Sequence, residues 1–157
     1  MASAGYTIQT SAAVALSAAT AKTILFVTGT SGFGVDLKKV RVGFDGVTAS
    51  AVPVLVELCY STAATNSTPG TGNTTATVNQ VYGRSITAGF VGGYACTSEP
   101  TVLTVIDHML LTPNGGLVIY DWPLGDSPDS AVSNGFAVRC TAPATVNVRG
   151  SMWFERC

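Results

Sequence analysis

Few residues of this chain are of the types that catalyse reactions, and their spacing does not suit catalysis. The one histidine, His108, follows Asp107 within an apolar run. If that run is a strand, the two side chains point to opposite faces and cannot form an acid–base pair. Serines are plentiful, but no G-x-S-x-G nucleophile motif is present, so a Ser–His–Asp arrangement has no support in the sequence. These observations predict a structural histidine and a protein that is not an enzyme.

The sequence also predicts no metal site and no cofactor. Asp121, Asp126 and Asp129 lie close together, but the ligand ladder and the terminal glutamate of a calcium loop are missing. The cysteines form no C-x-x-C pair, and a single histidine cannot complete a zinc set. The glycines between residues 89 and 93 neither follow a strand nor open a helix, so we do not expect them to hold a phosphate.

The cysteines leave the disulfide state open. Cys59, Cys96, Cys140 and Cys157 are widely spaced, and an even count permits two disulfides in three pairings. Cys59 and Cys140 fall inside apolar strand patterns, where a free cysteine behaves as a small hydrophobe. Free thiols are the expectation, and two disulfides are the alternative.

Low charge is the clearest signal in the composition. Charged residues make up 11% of the 157 residues and the net charge is −1, whereas about 25% is usual in soluble domains. The chain therefore lacks a basic footprint for nucleic acid, and no apolar run approaches the roughly 18 residues of a membrane helix. Low charge protects a surface poorly against association. Either partner chains cover part of the surface, or a Thr- and Ser-rich surface stays soluble without charge.

The elements that position these residues are predicted to be strands. Apolar side chains alternate with polar ones over residues 36–45 and 52–61, which is typical of half-buried strands. The turn signals Asp45-Gly46 and Asn114-Gly115 predict hairpins. Together these patterns predict an all-β, antiparallel, jelly-roll-like β-sandwich with two long loops, at 61–79 and 81–100. Its eight or so strands are expected near 6–10, 22–29, 36–45, 52–61, 101–111, 116–122, 135–141 and 145–155.

Same-face spacing predicts the core. The side chains expected to be mainly buried are Val40, Val42, Phe44, Val54, Val56, Leu58, Val146 and Val148.

Residues 1–21 are predicted to form an N-terminal arm, and residues 22–157 a single sandwich domain. The arm is rich in small residues and has few large apolar side chains, so something outside its own core must hold it. The loop at 81–100 carries aromatic residues among glycines, which either pack beneath the loop or contact a partner. The candidate partner contacts are Tyr6, Ile8, Val14, Leu16, Tyr82, Phe90 and Tyr94.

Several segments resemble the small capsid decoration (cement) proteins of tailed bacteriophages, especially those of actinobacterial hosts. The resemblance lies in Val138–Glu155, in Thr20–Leu25, in Val42–Gly46 leading to Pro53–Leu58, and in Pro113–Gly116 leading to Pro123–Gly125. It implies a β-sandwich that forms a homotrimer and binds the major capsid protein on the outer surface of the virion. It implies no catalytic residues. It also implies assembly in the host cytoplasm, where thiols stay reduced.

A second class of function is open to the same fold. A carbohydrate- or receptor-binding β-sandwich module displayed on a virion would use aromatic side chains to stack on sugars. Tyr120, Trp122 and the aromatic residues between 82 and 94 are candidates for that role.

Overall fold

In a computed structural model the chain is built from strands and connecting loops. The structure describes residues 3–30, 32–44, 52–62, 72–100, 102–114, 117–123 and 125–157, and these contain no helix. Twelve strands lie in them: β1 (Gly5–Gln9), β2 (Val14–Leu16), β3 (Ala21–Gly29), β4 (Val35–Phe44), β5 (Val54–Ser61), β6 (Thr74–Thr75), β7 (Val78–Tyr82), β8 (Phe90–Tyr94), β9 (Leu103–Leu111), β10 (Leu117–Asp121), β11 (Gly135–Thr141) and β12 (Val146–Arg156).

The strands form two antiparallel sheets that face each other. The first sheet has the order β10-β4-β12-β1-β7, with β2 also paired to β12, and the second has the order β6-β8-β3-β11-β5-β9. The inward side chains of both sheets form one apolar core. The predicted all-β antiparallel sandwich is therefore confirmed, whereas its jelly-roll version stays a prediction.

Described strands that follow each other in the chain are never hydrogen-bonded neighbours. Both predicted hairpins are therefore wrong, because β4 and β5 lie in different sheets, and so do β9 and β10. The turn residues Asp45-Gly46 and Gly115 lie outside the described residues. A turn signal shows that the chain reverses, but it does not choose the partner of the next strand. Crossing to the facing sheet buries the apolar face of each strand as well as a hairpin would.

The predicted core is largely confirmed. Seven of its eight side chains are at most 5% exposed: Val40, Val42, Val54, Val56, Leu58, Val146 and Val148. Phe44, the last residue of β4, is only half-buried and packs against the margin of the core. Alternation correctly assigned Phe44 to the inward face, but it could not show that the core thins at the end of that strand.

The N-terminal segment is part of the sandwich and not a separate arm. β1 runs beside β12 from Gly5 opposite Glu155 to Gln9 opposite Ser151, and β2 pairs with a different part of β12. Tyr6, Ile8, Val14 and Leu16 are at most 2% exposed, inside the core of their own chain. The prediction that residues 1–21 form an arm, with these four side chains as partner contacts, is wrong for the described residues. Four large apolar side chains are enough to anchor this segment in the sandwich, because the neighbouring strands complete their burial.

The two predicted loops contain three more strands. β6 and β7 lie in or beside the first predicted loop, and β8 lies in the second. Their sequences do not alternate clearly, because β6 has two residues and β8 contains the pair Gly92-Gly93. A Cβ atom at Gly92 would collide with Ile8. Gly92 therefore allows the facing sheet to approach closely, which apolar periodicity cannot reveal.

Candidate interaction surface

The two residues considered as a catalytic pair in the sequence, His108 and Asp107, have structural partners. His108 is exposed on β9, and its backbone N–H donates to the neighbouring Asp107 carboxylate at 2.8 Å. Asp107 also accepts a hydrogen bond from the Tyr120 hydroxyl on β10, which raises the pKa of Tyr120. Asp107 thus joins the edges of the two sheets and does not act as a partner to the imidazole of His108.

The three aspartates Asp121, Asp126 and Asp129 do not come together to form a metal site. Asp121 forms an ion pair with Lys39 at 2.9 Å, and the Asp126 backbone N–H donates to the Pro123 carbonyl at 3.1 Å within a turn. Asp129 lies in an isolated backbone bridge with Asp36. Over the part of the chain that the structure describes, no three His, Cys, Asp or Glu side chains are placed to hold a metal ion.

The four cysteines are free thiols. Cys59, Cys96 and Cys140 are buried, and Cys157 is exposed. Burial in an apolar environment disfavours the thiolate, which raises the pKa of Cys59 to about 11 and that of Cys96 to about 12. The same effect raises the pKa of Cys140 further. Because the thiolate is the nucleophilic form, none of these three buried groups is activated for catalysis.

Of the aromatic candidates for partner contact, only Tyr82 is exposed, at 48%. Its hydroxyl donates to the Glu155 carboxylate, and this bond is the main reason that the pKa of Tyr82 is raised to about 12. Phe90 is half-buried, with its ring centroid 5.3 Å from that of Tyr6 and 4.7 Å from that of Phe154. Tyr94 is also half-buried against the core. Phe90 and Tyr94 therefore pack beneath their segment and do not form an exposed aromatic surface.

An uncovered apolar surface lies instead along β9 and β10. β9 is an edge strand of the second sheet and β10 an edge strand of the first. The hydrogen bond between Tyr120 and Asp107 shows that the two edges adjoin. We call this surface the β9–β10 edge. Its exposed apolar side chains are Val105 (41%), Ile106 (45%), Leu110 (66%), Leu117 (63%) and Ile119 (51%).

Sequence reasoning missed the β9–β10 edge because it took apolar residues as evidence of burial. The run Val102–Leu111 is apolar on both strand faces, which is usual for a strand covered on both sides. The structure places this run at a sheet edge with one long side uncovered. The low charge of the chain was the available signal, since edge strands are commonly protected by charged side chains.

The outer face of the first sheet continues from the β9–β10 edge with polar and aromatic residues. Ile119 on β10 lies opposite Arg41 on β4, and Arg41 lies opposite Ser151 on β12. The guanidinium carbon of Arg41 is 4.4 Å from the ring centroid of Trp153. Arginine and tryptophan side chains beside apolar ones are typical of the centres of protein interfaces.

These features define the class of the molecule as an antiparallel β-sandwich with exposed apolar side chains on two edge strands. Comparison with protein-family models, with curated protein sequences and with solved structures found no match to this chain. Within the described residues, no helix is long and apolar enough to cross a membrane.

Proposed function

We propose that the protein is a non-enzymatic structural protein of a phage virion, which binds the outside of the assembled capsid and stabilises it. The observation that supports this proposal is the β9–β10 edge. Exposed apolar side chains lie on both of its strands, in a chain with few charges to keep copies apart. Exposed large apolar side chains concentrated on edge strands favour contact with another protein.

The strand geometry strengthens the argument for a protein partner. Among the described residues, the nine residues of β9 have backbone partners on one side only, from β5. An edge strand with unpaired backbone groups and apolar side chains is prone to pair with other chains unless something covers it. On β9, only Asp107 and His108 carry ionisable side chains, and Asp107 is engaged by Tyr120. A specific protein partner would bury the edge and prevent unspecific aggregation.

The proposed partners are other copies of this chain and the major capsid protein. A homotrimer would use part of the β9–β10 edge between its subunits and would present several identical surfaces to the shell. A protein that binds only the assembled shell stabilises it by mass action, and linked subunits raise the overall affinity through high effective concentration. Synthesis in a reducing host cytoplasm agrees with four free thiols.

The test is decoration of purified capsids. Empty heads that lack the protein are mixed with it and sedimented, and the bound protein is quantified per capsid subunit. We expect saturable binding with fixed stoichiometry and a higher temperature of head disruption. Unassembled major capsid protein is the control, because the proposed mechanism needs preferential binding to the shell. Failure to sediment with heads at any concentration would refute the proposal.

A carbohydrate-binding module is the second candidate, and one cavity favours it. A cavity of about 170 Å³ on the first sheet is lined by Tyr82, Trp153, Lys39 and Asp121, among others. Aromatic and charged side chains together can bind a sugar ring. The polar groups of this cavity are already engaged, however, because Lys39 pairs with Asp121 and Tyr82 bonds to Glu155. Glycan-array binding that free sugar abolishes, and that Tyr82→Ala weakens, would favour this candidate.

A further inference from the structure

The outer face of the second sheet carries a small apolar cluster that is separate from the main core. Phe26 on β3, Ala137 on β11 and Cys59 on β5 lie side by side in the strand register. Their neighbours along each strand pack in the main core, so these three side chains point to the opposite, outer face. All three are nevertheless fully buried, and Cys96 and Leu103 pack with them. Another segment of the chain therefore covers this face of the sheet.

Part of this cover is the connection between β8 and β9. These two strands are separated in their sheet by β3, β11 and β5, so the chain has to cross three strands to pass from one to the other. The main core occupies the inner face of the sheet, and Cys96, within the connection, belongs to the outer cluster. The connection therefore crosses the outer face. We call residues 95–100 the outer strap.

One side chain fastens the middle of the outer strap to the sheet. The Glu99 carboxylate accepts two hydrogen bonds from Thr23 on β3, one from its backbone N–H and one from its hydroxyl group, each at 2.6 Å. Thr23 is fully buried, and the pairing of β3 with β8 ends at Leu25. The carboxylate thus satisfies a buried N–H group of β3 beyond the end of that pairing. Hydrogen bonds to an ionised acceptor are stronger than those between neutral groups, so Glu99 is suited to act as a latch.

The outer strap begins at a strained residue and borders an open space. Ala95 has a φ of 55°, in the left-handed region that residues with a Cβ atom rarely adopt. The N–H of the next residue, Cys96, donates to the Thr23 carbonyl at 3.1 Å. A cavity of about 320 Å³ lies beside the strap, with Cys96 and Glu99 among its lining residues. Strain at the first residue and space beside the strap both favour movement about Ala95.

We propose that the outer strap is a hinged cover, which opens about Ala95 when Glu99 releases Thr23. The strands beneath it keep their backbone pairing and the main core during this movement, so the sheet stays folded while the outer cluster becomes accessible. Cys59 lies opposite Val105, which is 41% exposed on β9. Opening would therefore add apolar side chains to the surface at the β9–β10 edge. The movement does not depend on the proposed function and can be measured without any partner.

Thiol labelling can detect the opening, because the buried cysteines lie in two different clusters. Cys59 and Cys96 belong to the outer cluster, whereas Cys140 belongs to the main core. The full chain is kept in iodoacetamide under native conditions for much longer than Cys157 needs to react, and peptide mass spectrometry follows each cysteine. Each rate is divided by the rate in the unfolded chain. We expect Cys59 and Cys96 to react about tenfold or more faster than Cys140, which reacts only through global unfolding. Equal rates at all three would overturn the hinged cover.

Two variants should change the opening in opposite directions. Relative to Cys140, labelling of Cys59 and Cys96 should be about tenfold or more faster in Glu99→Ala, which lacks the latch. It should be about threefold or more slower in Ala95→Gly, because glycine adopts the left-handed conformation without strain. The second variant keeps the test decisive if the first does not fold. The matched control is Glu155→Ala, which removes a hydrogen-bonded carboxylate from the first sheet and should label like the wild type. Wild-type rates in Ala95→Gly would overturn the hinge, and wild-type rates in a folded Glu99→Ala would overturn the latch.

Amide hydrogen exchange separates opening from an effect of charge on the thiols. Burial is the main cause of the raised pKa of Cys59 and Cys96, and the Glu99 carboxylate adds to it, so Glu99→Ala also makes these thiols easier to ionise. The backbone N–H of Cys96 does not sense the thiolate, and it is protected by its bond to Thr23. It should exchange faster in Glu99→Ala and slower in Ala95→Gly. Faster labelling without faster exchange would show a charge effect alone and overturn the proposal.

Discussion

Replacing Leu110 and Leu117 with serine removes the two most exposed leucines of the β9–β10 edge. They are 66% and 63% exposed, so interfaces that cover both remove about 1.3 leucine side chains from water. Full burial of one such side chain contributes about 1.5–3 kcal/mol. The double variant should therefore lose up to about 2–4 kcal/mol of binding free energy, or roughly thirtyfold to several hundredfold in affinity. The free energy of unfolding of the isolated chain should change by less than about 1 kcal/mol, because each site is a surface position.

Three assays separate these effects. Urea unfolding followed by circular dichroism gives the free energy of unfolding of each variant. Sedimentation velocity gives the oligomeric state, and cosedimentation with empty heads gives the affinity for the shell. We expect unchanged unfolding together with dissociation of the oligomer, weaker capture by heads, or both.

The matched control makes the same kind of change on a different part of the surface. Val81 on β7 and Ile86 just beyond it are 52% and 46% exposed, and β7 is the opposite edge of the first sheet. Val81→Ser with Ile86→Ser should leave oligomerisation and capture unchanged. Equal binding by both double variants, or equal loss in both, would refute the reasoning that the β9–β10 edge is a specific interface.

Three further predictions concern the fold itself. Phe154→Ala should lower the free energy of unfolding by about 3–5 kcal/mol, measured by urea unfolding, because the ring is buried against Tyr6 and Phe90; a change below about 1 kcal/mol would contradict this packing. Ultraviolet titration should show one tyrosine that ionises near pH 12 and is missing in Tyr82→Phe. A raised pKa in the folded state means that the bond to Glu155 stabilises the fold below pH 10 and is lost as the pH rises through about 12; ionisation of Tyr82 with the ordinary tyrosines would show that the bond is absent in solution. Iodoacetamide should label Cys157 alone in the native protein and all four cysteines after unfolding without reductant; fewer than four would reveal a disulfide.

The sequence predicted the central strands well, because their burial is one-sided. β4, β5 and β12 alternate apolar and polar residues, and the structure buries the predicted side chains in all three except Phe44 at the end of β4. It could not predict strand pairing. The partner of a strand depends on the path of the whole chain, and here each strand pairs with segments distant in the sequence.

The sequence predicted the candidate surface poorly, because the exposure of a side chain also depends on how the strands are arranged. Tyr6 and Leu110 are both large side chains in strands, yet one is fully buried and the other is 66% exposed. Composition and periodicity do not distinguish them, because only the position of the strand within its sheet decides the exposure. The sequence could not show that the Arg41 Nε atom is buried, because the Trp153 ring that packs on this side chain lies more than a hundred residues later in the chain.

The place of β12 determines when the molecule can fold. β12 lies between β4 and the strands β1 and β2, and it is the only described partner of β2. A ribosome makes β1, β2 and β4 long before β12, so during most of synthesis the centre of the first sheet does not exist. Pairing between strands that are so far apart in the sequence is slow, and the strand edges stay exposed until it is complete. The Trp153 ring of β12 lies 4.4 Å from the guanidinium carbon of Arg41 on β4, so only a chain translated through β12 can form this contact on the outer face of the first sheet.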